Sequence, residues 1–244
     1  DRLDYSSDTT TMAPKGNLTQ AREYVAGAGN SSYGYFMGGV NPNVSTVDRL
    51  DYSSDTTNTS PKGPLSQPGP AANYRAGTGN SNYGYAGGGI PGPLSSIERL
   101  DFSNDSTTAS PKGSLSHGRY NLDGISSRAN ALPSPSPQQA TRSETYPAGG
   151  PNYGYIAGGD PTSDGGTHIY RIDFDSDTTT AAPKGNLYVS RKSNSEGAVG
   201  NSSYGYFAGG WSPGHISSID RMDYGNDTAT ATPKGNLANP GNNW

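Results

Sequence analysis

Two words decide how this chain is read: Tyr33-Gly-Tyr-Phe-Met-Gly-Gly39, and Ser45-Thr-Val-Asp-Arg-Leu-Asp-Tyr52 a few residues later. Both recur. The Tyr-Gly-Tyr word returns at Tyr83, Tyr153 and Tyr204, each time running into a Gly pair. The Arg-x-Asp core of the second word stands at Arg2, Arg49, Arg99, Arg171 and Arg221, in steps of 47, 50, 72 and 50 residues. Pro-Lys-Gly follows each core, with its prolines at Pro14, Pro61, Pro111, Pro183 and Pro233, in the same steps. A fixed period of this size means one supersecondary unit copied several times.

The unit reads as four short strands. Gly and Pro punctuate every few residues, and no helical stripe survives for long. The first strand is the most variable, near Tyr24-Val-Ala in one copy and Ala198-Val in another. Tyr-Gly-Tyr is the second, Ser45 to Tyr52 the third, and the fourth leads into Pro-Lys-Gly. On the third strand Leu50 and Tyr52 share one face while Arg49 and Asp51 share the other, by the two-residue period of a strand. The apolar face is predicted to meet a neighbouring sheet. Ser53-Ser-Asp-Thr56 and its copies suit a tight turn, since Ser, Asn and Asp hydrogen-bond their own backbone.

One interval is longer than the rest. From the Leu after Pro-Lys-Gly to the next Tyr-Gly-Tyr takes 15, 18, 38 and 17 residues. The predicted division is therefore a half unit at 1–20, repeat segments at 21–70, 71–117, 146–190 and 191–244, and a Pro/Ser-rich insertion loop at 118–145. Strands three and four occur five times, strands one and two only four. The repeat begins in mid-unit at Asp1, which predicts a processed product or a piece of a longer chain, or an assembly in which another chain completes the half unit.

Composition narrows the class. The 244 residues include 35 Gly, 19 Pro and 17 Tyr, with only 30% hydrophobic residues. That approaches low-complexity disorder, but apolar residues at fixed places argue for order. Net charge is −4 and scattered, so no basic footprint points to nucleic acid. No run is long and apolar enough to suggest membrane insertion. With no Cys, neither disulfides nor thiolate metal sites are available.

A repeat of about 50 residues, four strands, a Gly pair ending the second and an aromatic ending the third resembles the kelch repeat, one blade of a β-propeller. Gly38-Gly39, Gly88-Gly89, Gly158-Gly159 and Gly209-Gly210 match the family's double Gly; Tyr5, Tyr52, Phe102, Phe174 and Tyr224 match its aromatic. The family Trp is missing, with Thr and Ala in its place, so packing between blades must differ. The wording is also similar to repeat proteins encoded by marine tailed phages, usually virion or tail-fibre components. The resemblance implies an all-β, kelch-like β-propeller of four-stranded blades, with an open β-solenoid as the alternative.

It further implies a non-catalytic structural, receptor-binding or glycan-binding component of a virion or surface fibre, on a virion or extracellular surface. Its partners would be other virion or fibre proteins and host surface glycans, and a homo-oligomer is among the expected assemblies. A kelch-like protein-interaction module and a glycan-active propeller enzyme are the alternatives. The enzyme is the weakest, because no carboxylate pair or metal constellation stands out. No cofactor is expected.

Repeat residues are poor candidates for function, because each has a structural reason to recur. The Arg-x-Asp residues read first as ion pairs between strands or blades, and otherwise as a ring of Arg that would hold an anion. The Tyr pairs read first as core, and otherwise as sugar-stacking rings. Ser6-Ser-Asp8-Thr-Thr-Thr11 is similar to the Asp box of sialidase propellers, which is itself structural. Asp173, Asp175 and Asp177 form a ladder that can offer carboxylates to Ca²⁺, but the loop lacks the Gly and distant Glu of a full site. His117, His168 and His215 lie in variable connections, not at metal-ligand spacing. The residues that differ between copies are the better candidates for ligand binding: Tyr120, Arg128, Arg142, His168 and His215.

Overall fold

Each Tyr-Gly-Tyr word forms the second strand of a four-stranded antiparallel sheet in the computed structural model, which describes residues 1–2, 11–67, 73–127, 152–160 and 166–238. The first blade holds β1 (Ala26–Gly29), β2 (Tyr33–Met37), β3 (Val47–Asp51) and β4 (Ser60–Lys62). The second holds β5 (Ala76–Gly79), β6 (Tyr83–Gly87), β7 (Ser96–Asp101) and β8 (Ser110–Ser114). The third holds β9 (Asp123–Ser126), β10 (Tyr153–Ala157), β11 (His168–Asp173) and β12 (Ala182–Asn186). The fourth holds β13 (Lys192–Gly200), β14 (Tyr204–Trp211), β15 (Ser218–Asp223) and β16 (Thr232–Asn236). Within every sheet the strands lie in chain order. The architecture is a β-propeller of four blades. Among the described residues of the leading half unit, Arg2 and Ala13 bridge to each other, and Arg2 and Lys15 pair with Asp55 of the first blade.

The inner strands β1, β5, β9 and β13 pack neighbour to neighbour. Among β1, β5 and β9 backbone packs directly on backbone. A Cβ at Gly77 would collide with the Gly27 backbone, and one at Gly124 with the Gly77 carbonyl. This corrects one boundary. Residues 123–126, placed by sequence in the insertion, are the inner strand of the third blade, so the long connection falls between β9 and β10. The Gly pairs behave as expected. Gly38 and Gly39, and their counterparts in every blade, take positive φ, which a side chain would strain.

The junctions between blades repeat one design. The turn after strand three is a single 3-10 turn in the first, second and fourth blades, as at Tyr52–Ser54, whose leading Asp51 accepts the Ser53 N–H. The next aspartate faces back toward the preceding unit. Asp105 accepts from Tyr35 Oη at 2.9 Å and Arg49 at 2.8 Å, with Lys62 at 3.5 Å, all from the first blade. Asp177 is gripped in the same way by Tyr85, Arg99 and Lys112, and Asp227 by Tyr155, Arg171 and Lys184. Asp55 is held by Arg2 and Lys15 of the half unit.

Thus the expected pairing between blades is present, but the partner is not the aspartate two residues on. That aspartate caps the 3-10 turn, while Arg reaches across the junction. The guanidinium also lies over the first Tyr of its own blade, 4.3 Å from the Tyr33 ring for Arg49. Because each Arg is paired across a junction or stacked in this way, the residues do not form an open anion-binding ring.

Backbone and aromatic contacts complete each junction. Gly63 donates to the Asp105 carbonyl, and its missing side chain leaves room for the Thr107 carbonyl. Ala109 is buried and donates to the Pro64 carbonyl. Thr59, Ala109, Ala181 and Ala231 occupy equivalent places, so small residues seat one blade on the next. The second Tyr of the word stacks on the aromatic that ends strand three of the following blade. Ring centroids lie 4.6 Å apart for Tyr35 and Phe102, 4.8 Å for Tyr85 and Phe174, and 5.3 Å for Tyr155 and Tyr224. Burial, reinforced by the hydrogen bond to the aspartate, pushes the Tyr35 and Tyr85 hydroxyls upward, so they stay protonated and donate. Buried and already stacked, these rings are not available to sugars.

Candidate functional site

Two residues before each of the first three inner strands, the chain turns through left-handed backbone: Tyr24 at φ 54°, Tyr74 at φ 57° and Asn121 at φ 57°. Asn tolerates this region, but a bulky residue with positive φ is uncommon and costs on the order of 1–3 kcal/mol. The surroundings enforce it. The residue just before each one bridges to the strand end beyond a Gly pair: Glu23 to Val40, Asn73 to Ile90, and Tyr120 to Asp160. Asn121 also donates its backbone N–H to the Tyr74 carbonyl at 3.0 Å, tying the third blade to the second.

These turns gather Tyr24, Tyr74, Asn121 and Asp123 around one pocket of about 130 Å³, with Val25, Arg75 and Leu122 as its other walls. Tyr24 and Tyr74 stack with centroids 4.4 Å apart, and Tyr24 is exposed. Two enclosed oxygens of the lining residues, Asn121 Oδ1 and Asp123 Oδ2, have no hydrogen-bond partners. Burial raises the Asp123 carboxyl from its ordinary value to about 7, against the opposing pull of the Arg191 cation. Arg75 does not answer the carboxylate. Its guanidinium is committed to Glu98 at 3.3 Å, the Gly88 carbonyl at 2.8 Å and Ser96 Oγ at 2.7 Å. The pocket therefore offers an aromatic platform, an amide and a carboxyl that switches between donor and acceptor near neutral pH. That is a set for a neutral polar ligand.

The residues singled out by sequence do not converge. Tyr120 sits beside the pocket, bridged through its backbone to Asp160. His168 opens β11 with its ring against Tyr170, 6.1 Å between centroids. His215 meets Trp211 edge-on at 4.8 Å, on the exposed bend after β14. Arg128 and Arg142 lie outside the described residues. The aspartate ladder is divided: Asp173 accepts the Asp175 N–H, Asp175 accepts from Asn152, and Asp177 is the junction aspartate. Among the described residues no three His, Asp or Glu side chains gather as a metal site. Asn30, Asn80 and Asn201 each accept two backbone N–H groups in the turn before Tyr-Gly-Tyr, so their side chains shape a hairpin.

Sequence reasoning missed Tyr24, Tyr74, Asn121 and Asp123. The signal was spacing: Tyr24, Tyr74 and Asn121 each stand three residues before Gly27, Gly77 and Gly124.

The fold defines the class, a β-propeller. No family model matches the chain, and no curated protein does. Among solved structures, that of YjhT aligns over 93% of this chain and 68% of its own, with a TM-score of 0.65 and 10% identity. At that identity the likeness extends to the fold alone.

Proposed function

We propose that this chain is a non-catalytic, kelch-like binding component of a phage virion or surface fibre, and that its pocket between the first three blades takes a glycan. One observation carries the reading: Asn121 Oδ1 and Asp123 Oδ2 are enclosed and unpaired in the pocket that the Tyr24–Tyr74 stack also lines. An unpaired buried polar group is unfavourable in the free protein, so a ligand that supplies hydroxyls gains from pairing it. A sugar ring offers hydroxyls to those oxygens and an apolar face to Tyr24. The virion setting is supported by the wording of the repeat. Its partners there are other virion or fibre proteins and host surface glycans, and its place is the virion or extracellular surface.

A glycan array identifies the ligand, and calorimetry with the best hit measures it. Asn121→Gly, which keeps the left-handed backbone, and Tyr24→Ala are expected to abolish measurable binding with little change in melting temperature. Binding that survives both substitutions would exclude the pocket. Cleavage of the bound glycan on long incubation would exclude a non-catalytic role.

A further inference from the structure

Asp123 opens β9 at the place where Ala26 opens β1 and Ala76 opens β5. A carboxyl thus stands where the first two blades bury a methyl group. Its Oδ2 is enclosed and has no hydrogen-bond partner among the described residues, and the same holds for Asn121 Oδ1 in the same pocket. The cations ahead of the neighbouring inner strands are committed elsewhere. Arg75, ahead of β5, holds Glu98, Ser96 and the Gly88 carbonyl. Arg191, ahead of β13, holds Asp220 at 3.1 Å, Ser218 Oγ at 3.2 Å and the Gly209 carbonyl. It attracts Asp123 through space without reaching Oδ2. On β10, Ala157 lies opposite Asp123, and Tyr155 on the same face donates to Asp227. β14 meets β9 farther along, through Gly205 at Ile125. The acid of β13, Glu196, lies opposite Gly209, and Glu23, beside Tyr24 in the chain, is exposed. Burial pushes the Tyr74 hydroxyl up, so it stays neutral in this range.

We infer that binding in this pocket is coupled to the loss of a proton from Asp123, so that a neutral sugar is held most tightly at and above neutral pH and let go in acid. The coupling rests on the pocket being a glycan site and supplies its regulation. Two features set the sign. Hydrogen bonds donated by sugar hydroxyls to a carboxylate are charge-assisted and about twice as strong as those to a neutral group. Oδ2 is already out of water, so a sugar adds such bonds with little further loss of hydration to oppose them. In the free protein burial outweighs the pull of Arg191 and holds the carboxyl at about 7; hydroxyls donating to it bring that value down. Binding between the two values therefore releases a proton. Affinity climbs as pH rises toward about 7 and is level above it. A fall of about one unit corresponds to about tenfold in affinity.

The probes are uncharged methyl glycosides of mono- and disaccharides, screened at about pH 5 and about pH 8, with the tightest carried into calorimetry. Its affinity is expected to be about tenfold higher at the upper value. Buffers of different ionisation enthalpy should reveal proton release between the two. Whatever affinity Asp123→Asn retains should not vary over the range, which separates Asp123 from His117, His168 and His215. Carbon-13 NMR of the side-chain carboxyls reads the proton directly, with Asp123 assigned as the resonance missing from Asp123→Asn. It should titrate near neutral pH in the free protein and lower in the complex. An Asp123 resonance that titrates in the ordinary carboxylate range of the free protein overturns the coupling. So does a pH dependence of affinity that persists in Asp123→Asn. A glycoside that binds equally at both pH values, and is lost in Tyr24→Ala, overturns the coupling and leaves the pocket a glycan site. No binding of any glycoside at either pH removes both.

Discussion

The junctions between blades and the pocket at the inner strands treat the same repeat in opposite ways. At the junctions the copies keep the same polar set, and it is joined across the seam: Tyr, Arg and Lys from one side, Asp from the other. At the pocket the third copy departs from the first two, Asn121 against Tyr24 and Tyr74, the backbone is held at positive φ, and two oxygens are left unpaired. Repetition marks where the molecule binds itself. Divergence under a conserved backbone marks where it is free to bind something else.

Breaking the axis should have the largest effect. Gly77→Ala puts a methyl against the Gly27 backbone, with no flexible side chain to yield. A loss of about 3 kcal/mol or more is expected in denaturant unfolding, and a loss below about 1 kcal/mol would mean that the inner strands are not in direct contact.

Next comes a junction. Asp177→Ala removes the acceptor shared by Tyr85, Arg99 and Lys112. The arginine and lysine ends are partly solvated, so the expected cost is about 2–3 kcal/mol rather than the full penalty of a stranded buried charge. Glycan affinity, measured below the new melting point, should not change; a loss of affinity with full stability would reverse the contrast between the two regions. The same variant tests the aspartate ladder, because Ca²⁺ should not raise the melting temperature of the parent chain.

A smaller, pH-dependent effect belongs to Asp123. Its folded value, about 7, lies above that of the unfolded chain, so folding favours the protonated form. The contribution is whole below about pH 4 and is lost as pH rises through about 7. Asp123→Asn should flatten that part of the stability profile, and an unchanged slope would place its origin elsewhere. Tyr24→Ala should have the smallest effect on stability, within about 0.5 kcal/mol, because the ring is exposed. A larger loss would make the tyrosine stack part of the framework.

Much of this architecture could be read from the chain, and what escaped has physical reasons. Tyr-Gly-Tyr with its Gly pair and the Arg-x-Asp strand lie where expected because alternation and spacing report the burial of side chains. The inner strand of the third blade reads as loop in the sequence because β9 is held by contact between backbones, which leaves few apolar residues to count. The partner of each Arg was misassigned because the nearest acid in sequence is not the nearest in space: Asp51 turns inward to cap its own 3-10 turn, and Asp105 crosses from the next blade. The pocket stayed hidden because a Tyr at positive φ looks like any other Tyr. Its backbone angle is imposed by bridges to another part of the chain.

The outermost strands carry one last consequence. Each of β4, β8, β12 and β16 contains a proline, with Pro61 opposite Asp48, Pro111 opposite Glu98, Pro183 opposite Tyr170 and Pro233 opposite Asp220. Proline offers no N–H to an incoming strand. The outer edges of the blades are thus blocked against sheet extension at four points, and copies brought together at high concentration are kept from fusing through those edges into one continuous sheet.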